Sequence, residues 1–241
     1  MRPLLAFFLI AFFALFTNLL SAQSTYRPSA FPPPDTCGQP SLVTYGTGAT
    51  DEVGNYLLPL PSGHFLISAA QDGDVLLAEL DGELNLLWQR KLPITLRADN
   101  IRHLSLDSDN MLLGTGFSEN FNAQIVAYAF KYDYQNHNLL WIRTLTGLPN
   151  QNRTHTFYTI LEKETGGNYL VTGQTQQNDP PGLGCDAVIL ELDRNSGSRA
   201  WMQNYNLGSC ETFQKTILLN NSIYSTGRYN FAGGGTDKMR A

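Results

Sequence analysis

The feature that most constrains this chain is a repeat of about fifty residues running through everything after residue 40. Three tryptophans stand in matching company, Leu86-Leu87-Trp88, Leu139-Leu140-Trp141 and Arg199-Ala200-Trp201, at spacings of 53 and 60 residues. An aspartate precedes each by seven or eight positions. These are Asp81, Asp133 and Asp193, and each closes an alternating apolar run, VLLAELD, YAFKYD or VILELD. Further upstream, the segments HFLISA, MLLGTG, NYLVTG and IYSTG end at the small residues Ala69, Gly116, Gly173 and Gly227, spaced by 47, 57 and 54. Columns that drift in step mark an array of like units, each leaving apolar surface that only a neighbour can cover.

The units read as strands. Their apolar runs are short, rich in Val, Ile, Leu, Tyr and Thr, and bounded by Gly, Asn, Asp and Ser. The third unit is the clearest. It predicts a first strand over Thr156–Leu161, a turn at Thr165-Gly166-Gly167-Asn168, and further strands over Tyr169–Thr175, Ala187–Asp193 and Trp201–Tyr205. A tandem four-stranded antiparallel unit of this period is the signature of a β-propeller blade. The expected fold is therefore all-β, with blades over about 47–92, 99–145 and 155–205 and an incomplete fourth over 211–241. Such a set forms an open arc of a larger propeller, with Ser41–Gly46 as an orphan outer strand. The sequence reaches Asp237 as a third strand opens, so it reads as the N-terminal part of a longer protein.

Each column then has an expected job. The glycines 116, 173 and 227 end second strands and allow close backbone approach. Trp88, Trp141 and Trp201 fill the widening gap between blades. Asp81, Asp133 and Asp193 start the turn before the fourth strand by accepting backbone amides.

The succession GGNYLVTGQT, DAVILELDRNSG and a tryptophan strand resembles the secreted bacterial propeller repeats of the delta-60 or quinoprotein-like kind, common in surface proteins of Bacteroidetes. The segment SLVTYGTGATDEVGNYLLPL is similar to that family's junction between one blade and the next. The resemblance covers about residues 41–241 and is best in units three and four. Unit two departs from it: Val126 or Gln124 stands where Asp74, Asp186 and Asp237 open third strands. The resemblance implies a fold and a habitat, without fixing an activity.

Residues 1–22 read as a secretory signal peptide: Arg2, the apolar run Leu4–Phe16, and the small pair Ser21-Ala22 at its exit. Residues 23–40 form a Pro-rich lead-in around Pro32-Pro33-Pro34. These segments predict a secreted or outer-surface protein with no membrane span in the mature chain. Lys and Arg number 16 against 21 Asp and Glu, without a basic run, which excludes a nucleic-acid partner.

In a blade the turns between strands one and two and between three and four share one face. The longer connectors share the other, and function tends to sit on long loops held by a rigid scaffold. Asn150, Asn152, Arg153, Asn178 and Asp179 are the candidate binding residues there. Cys185 and Cys210 fall on that same face, and in an oxidising compartment they can bridge, leaving Cys37 for another partner. His64, His103, His137 and His155 are scattered over the units, and no catalytic or metal motif occurs. Asp107-Ser108-Asp109-Asn110 resembles the opening of a calcium loop but lacks its later glycine and glutamate, and reads as a plain turn. The expected function is a non-catalytic binding scaffold for a protein or carbohydrate ligand at the cell surface, with no cofactor and no metal. The alternative is the propeller part of a quinoprotein-like dehydrogenase or other secreted enzyme.

Overall fold

A computed structural model describes residues 52–92, 94, 98–119, 125–144, 155–175, 185–206, 210–230 and 238–240. The leader, the lead-in with Cys37, the 41–46 segment, Asp237 and the candidate loop residues Asn150, Asn152, Arg153, Asn178 and Asp179 lie outside them.

Every described element is a strand. The first sheet holds β1 (Glu52–Pro59), β2 (Phe65–Gln71), β3 (Asp74–Leu80) and β4 (Leu86–Leu92). The second holds β5 (Asp99–Leu106), β6 (Leu112–Glu119), β7 (Ile125–Asp133) and β8 (Asn138–Thr144). The third holds β9 (His155–Glu162), β10 (Tyr169–Thr175), β11 (Asp186–Leu192) and β12 (Arg199–Tyr205). A fourth consists of two long strands, β13 (Cys210–Leu219) and β14 (Ser222–Asn230), with the three-residue β15 (Lys238–Arg240) beside them. Within each sheet all pairings are antiparallel between sequence neighbours, and a parallel bridge joins Cys185 to Cys210 between the third and fourth sheets. Consecutive sheets pack together through their first strands, β1 on β5, β5 on β9 and β9 on β13. This is the arrangement of propeller blades standing side by side, and the described sheets do not close into a ring.

Side-chain alternation explains the stacking. Along β7, Tyr128, Phe130 and Tyr132 point into a layer shared with the first sheet, beside Leu66, Leu77 and Leu104. The intervening Ala127 and Ala129 point the other way, into a layer with Phe157, Ile160, Tyr169, Val188 and Leu190 of the third sheet. Successive residues of a strand face opposite sides, so a central strand offers two apolar faces. Each fully buried ring or Leu contributes roughly 1.5–3 kcal/mol, which an isolated sheet could not gain on either face.

The glycine column does more specific work than ending a strand. Pairing continues past it: β6 runs on from Gly116 to Glu119, β10 from Gly173 to Thr175, and β14 from Gly227 to Asn230. What the column faces is a β-bulge, repeated at the same place in every first strand. The register skips Asn55, Arg102, Tyr158 and Gln214, opposite Ala69, Gly116, Gly173 and Gly227 respectively. The bulge swings a backbone carbonyl inward. A Cβ on Gly116, Gly173 or Gly227 would fall on the carbonyl oxygen of Asn100, Thr156 or Thr212. A second bulge recurs in the fourth strands at Leu87, Leu140 and Ala200, each immediately before its tryptophan.

Strand ends differ from expectation by one to three residues. β9 starts at His155, β11 spans Asp186–Leu192, β12 starts at Arg199, and β13 starts at Cys210. The polar residues at these ends pair as backbone, which hydropathy does not register.

Replacing Gly173 with Ala puts a methyl group against a backbone oxygen that cannot rotate away. Gly173→Ala is expected to cost about 1–3 kcal/mol. The same change at Gly166, in an open turn with φ +74°, costs only its backbone strain. Urea midpoints of the two variants check this.

Candidate functional site

Among the described residues, the richest grouping of ionisable side chains lies at the seam between the second and third sheets. Asp107 directly follows the first strand of sheet two, and its Oδ1 accepts from the Asp109 and Met111 amides at 2.9 Å each, closing a turn with Asn110 at positive φ. Its fully buried Oδ2 takes the Tyr169 hydroxyl at 2.7 Å and lies 3.1 Å from the Lys131 ammonium and 3.3 Å from the Arg194 guanidinium. Arg194 also donates to Asp109 at 2.6 Å and pairs with Glu162. Glu162 in turn accepts from the Ser108 amide and hydroxyl, at 2.7 Å each. The network thus joins β7 and the β5–β6 turn to the β9–β10 and β11–β12 turns.

The electrostatics follow from these contacts. Burial pushes the Asp107 carboxyl up, but hydrogen bonds from Tyr169, the Met111 amide and Lys131 outweigh it and hold the group below its ordinary value. Glu162 behaves alike, with Ser108 and Arg194 outweighing burial. The Tyr169 hydroxyl is pushed far up by burial and then by Asp107, so it stays a donor. Here the two carboxylates are ionised and the phenol is protonated; Tyr169 and Arg194 reach Asp107, and Ser108 reaches Glu162, from the neighbouring sheet, while Lys131–Asp107 and Arg194–Glu162 pair within one sheet.

Beside this network runs a groove of about 290 Å³. Arg143 and Thr144 of β8 form one side, Gly197, Ser198 and Arg199 the other, and Phe157, Leu190 and Leu192 the floor. Gly197 has a positive φ, and a Cβ there would press on the Trp141 ring, so a bare backbone shapes that wall.

The tryptophans sit differently from one another. Trp141 is buried at this seam, its ring 6.0 Å from that of Tyr169 and its Nε1 donating to the Arg194 carbonyl at 3.2 Å. Trp88 is half-buried and meets the ring of His137, in the next sheet, edge-on at 4.7 Å. Trp201 departs from the expected filling role: it is 40% exposed. His137 and Arg194, the partners of the first two indoles, belong to turns before fourth strands, and no such turn of the fourth sheet is among the described residues.

Within their own sheets Trp88 and Trp201 donate to Glu79 and Glu191, at 2.6 Å each. Asp81, Asp133 and Asp193 each accept two backbone amides of the following turn, at 2.7–3.2 Å. Those hydrogen bonds, with side-chain donors Asn85, Asn136 and Ser196 contributing most, lower all three carboxyls.

Cys185 and Cys210 form a disulfide, Cα–Cα 4.3 Å, across 25 residues. It staples the start of β11 to β13, where the Glu211 amide also donates to the Cys185 carbonyl at 2.7 Å. A loop of this size gives about 2–4 kcal/mol in the chain-entropy account. Of the histidines, His64 bonds Glu79 at 2.7 Å. His103 is buried against Tyr56 of sheet one and accepts the Ile160 amide of sheet three. Burial, then the Lys215 charge, pushes its imidazole down to about 4. Among the described residues, no three His, Cys, Asp or Glu side chains are placed to hold a metal ion.

Lys131, Tyr169, Glu162, Arg194, Arg143 and Arg199 were not singled out by motif. One signal does point to the seam. The triplet before each turn reads Glu79-Leu80-Asp81 and Glu191-Leu192-Asp193 in units one and three but Lys131-Tyr132-Asp133 in unit two. With lysine in the glutamate column, the Trp141 indole has no carboxylate within its sheet and turns to Arg194 of the next.

In comparisons with known proteins, no family model and no curated protein matches the chain.

Removing the Lys131 ammonium leaves part of a buried carboxylate's charge uncompensated. Lys131→Met is expected to cost about 3 kcal/mol. Lys163→Met, whose ammonium is half exposed against Glu191, costs under about 1 kcal/mol. Chemical denaturation of both variants measures the contrast.

Proposed function

We propose that this protein is a secreted or cell-surface scaffold that binds a protein or carbohydrate ligand and carries out no catalysis in this segment. One observation carries the reading. Among the described residues the strongest ionic cluster, Asp107, Lys131, Glu162 and Arg194, has its charges paired with one another within and across the second and third sheets, so they serve assembly rather than a reacting molecule. A general acid or base must instead reach a substrate proton within hydrogen-bonding distance. The Cys185–Cys210 disulfide supports an oxidising compartment, in keeping with the leader-like first residues.

Two measurements on the full chain test this. Expressed with its leader, the protein is expected outside the cytoplasm with Cys185 and Cys210 unreactive to maleimide; a cytoplasmic protein with both thiols labelled contradicts the reading. Incubated with pyrroloquinoline quinone and calcium, it is expected to form no stoichiometric complex and to reduce no dye. Dye reduction would replace the scaffold by the dehydrogenase alternative.

A further inference from the structure

The groove between β8 and the β11–β12 turn joins an apolar floor to a cationic rim. Its floor, Phe157, Leu190 and Leu192, is apolar. Its rim carries two guanidiniums with no acidic partner among the described residues. Among the described residues Arg143 reaches its neighbouring Ile142 carbonyl, at 2.9 Å, and Arg199 the Met202 sulfur, at 3.8 Å. Elsewhere at this seam the cations are matched: Lys131 with Asp107, Arg194 with Asp107, Asp109 and Glu162, and Lys163 with Glu191. In a chain of net charge −5, two unmatched arginines on one small groove form a local anion-attracting spot.

We propose that this groove binds a single carboxylate carried on a sugar ring, the group presented by a uronic acid residue of an acidic glycan. The planar fork of arginine matches a carboxylate with two parallel hydrogen bonds. The apolar floor suits the C–H face of a ring, and the Ser198 oxygen, whose proton goes to Ser196 Oγ at 2.8 Å, keeps a lone pair that can accept from a ring hydroxyl. A volume of about 290 Å³ lies at the lower end of ligand pockets, enough for one ring-sized group. It is too small for the extended run of residues with which an acidic peptide would pair along a sheet edge. The assignment rests on the scaffold reading and names the ligand class of that scaffold.

The test is calorimetric titration of the full chain with trigalacturonic acid at low ionic strength, with neutral trigalactose and a glutamate-rich peptide as parallel arms. Saturable binding of the acidic sugar alone is expected. It should weaken with salt, and by about tenfold or more in each of Arg143→Gln and Arg199→Gln. Arg90→Gln, on exposed β4 of the first sheet, should bind as the parent does. Circular dichroism and urea midpoints of the variants should be unchanged, because neither arginine holds a charged partner among the described residues. Equal binding of the neutral sugar, tighter binding of the peptide, affinity indifferent to both arginines, or no binding at millimolar sugar would each overturn the proposal. None of these outcomes touches the scaffold reading, which turns on compartment and dye reduction.

Discussion

Both faces of each central sheet are apolar, and both must leave water. That constraint organises the molecule. A four-stranded sheet whose third strand alternates Tyr128, Phe130 and Tyr132 with Ala127 and Ala129 needs a neighbour on each side. The large side chains meet one neighbour and the alanines admit the bulky residues of the other. Repetition is thus a physical requirement of the unit. The recurrent bulge opposite the small residue of each second strand follows from it, because it bends every first strand alike where the sheets converge.

Within that common frame the seams have diverged in chemistry. Between the first and second sheets the contact is Trp88 on His137, with Glu79 holding both the indole and His64. Between the second and third, a lysine replaces that glutamate. Lys131 completes a buried ionic network that pulls Trp141 inward onto Arg194 and Tyr169. Between the third and fourth, a disulfide joins β11 to β13. An ionic seam is geometrically demanding, since a buried charge missing any partner is costly. This demand fixes the β11–β12 turn beside Trp141 and so shapes the adjoining groove.

Much of the fold was legible in the sequence because stacking imposes periodicity. Short alternating runs gave the strands, the turn aspartates gave hairpin positions, and the tandem columns gave the sheets. The bulge was not legible: an extra residue such as Tyr158 changes register without breaking the apolar pattern. The fate of Trp201 was not legible either, since a tryptophan's burial depends on the turn that meets it. Of the seam chemistry, only Lys131 in a glutamate column announced itself. Arg143 and Arg199 are ordinary surface residues in sequence, 56 positions apart, and only packing of β8 against the third sheet makes them neighbours of one groove.

Tryptophan accessibility reports most directly on whether consecutive sheets stack through buried seams. Two single-tryptophan proteins suffice, one keeping Trp141 at 6% exposure and one keeping Trp201 at 40%, with phenylalanine at the other two positions. Acrylamide should quench Trp141 several-fold less efficiently than Trp201 in the native state, with the two converging in denaturant. Equal quenching in the native protein would mean that the second and third sheets do not meet as described.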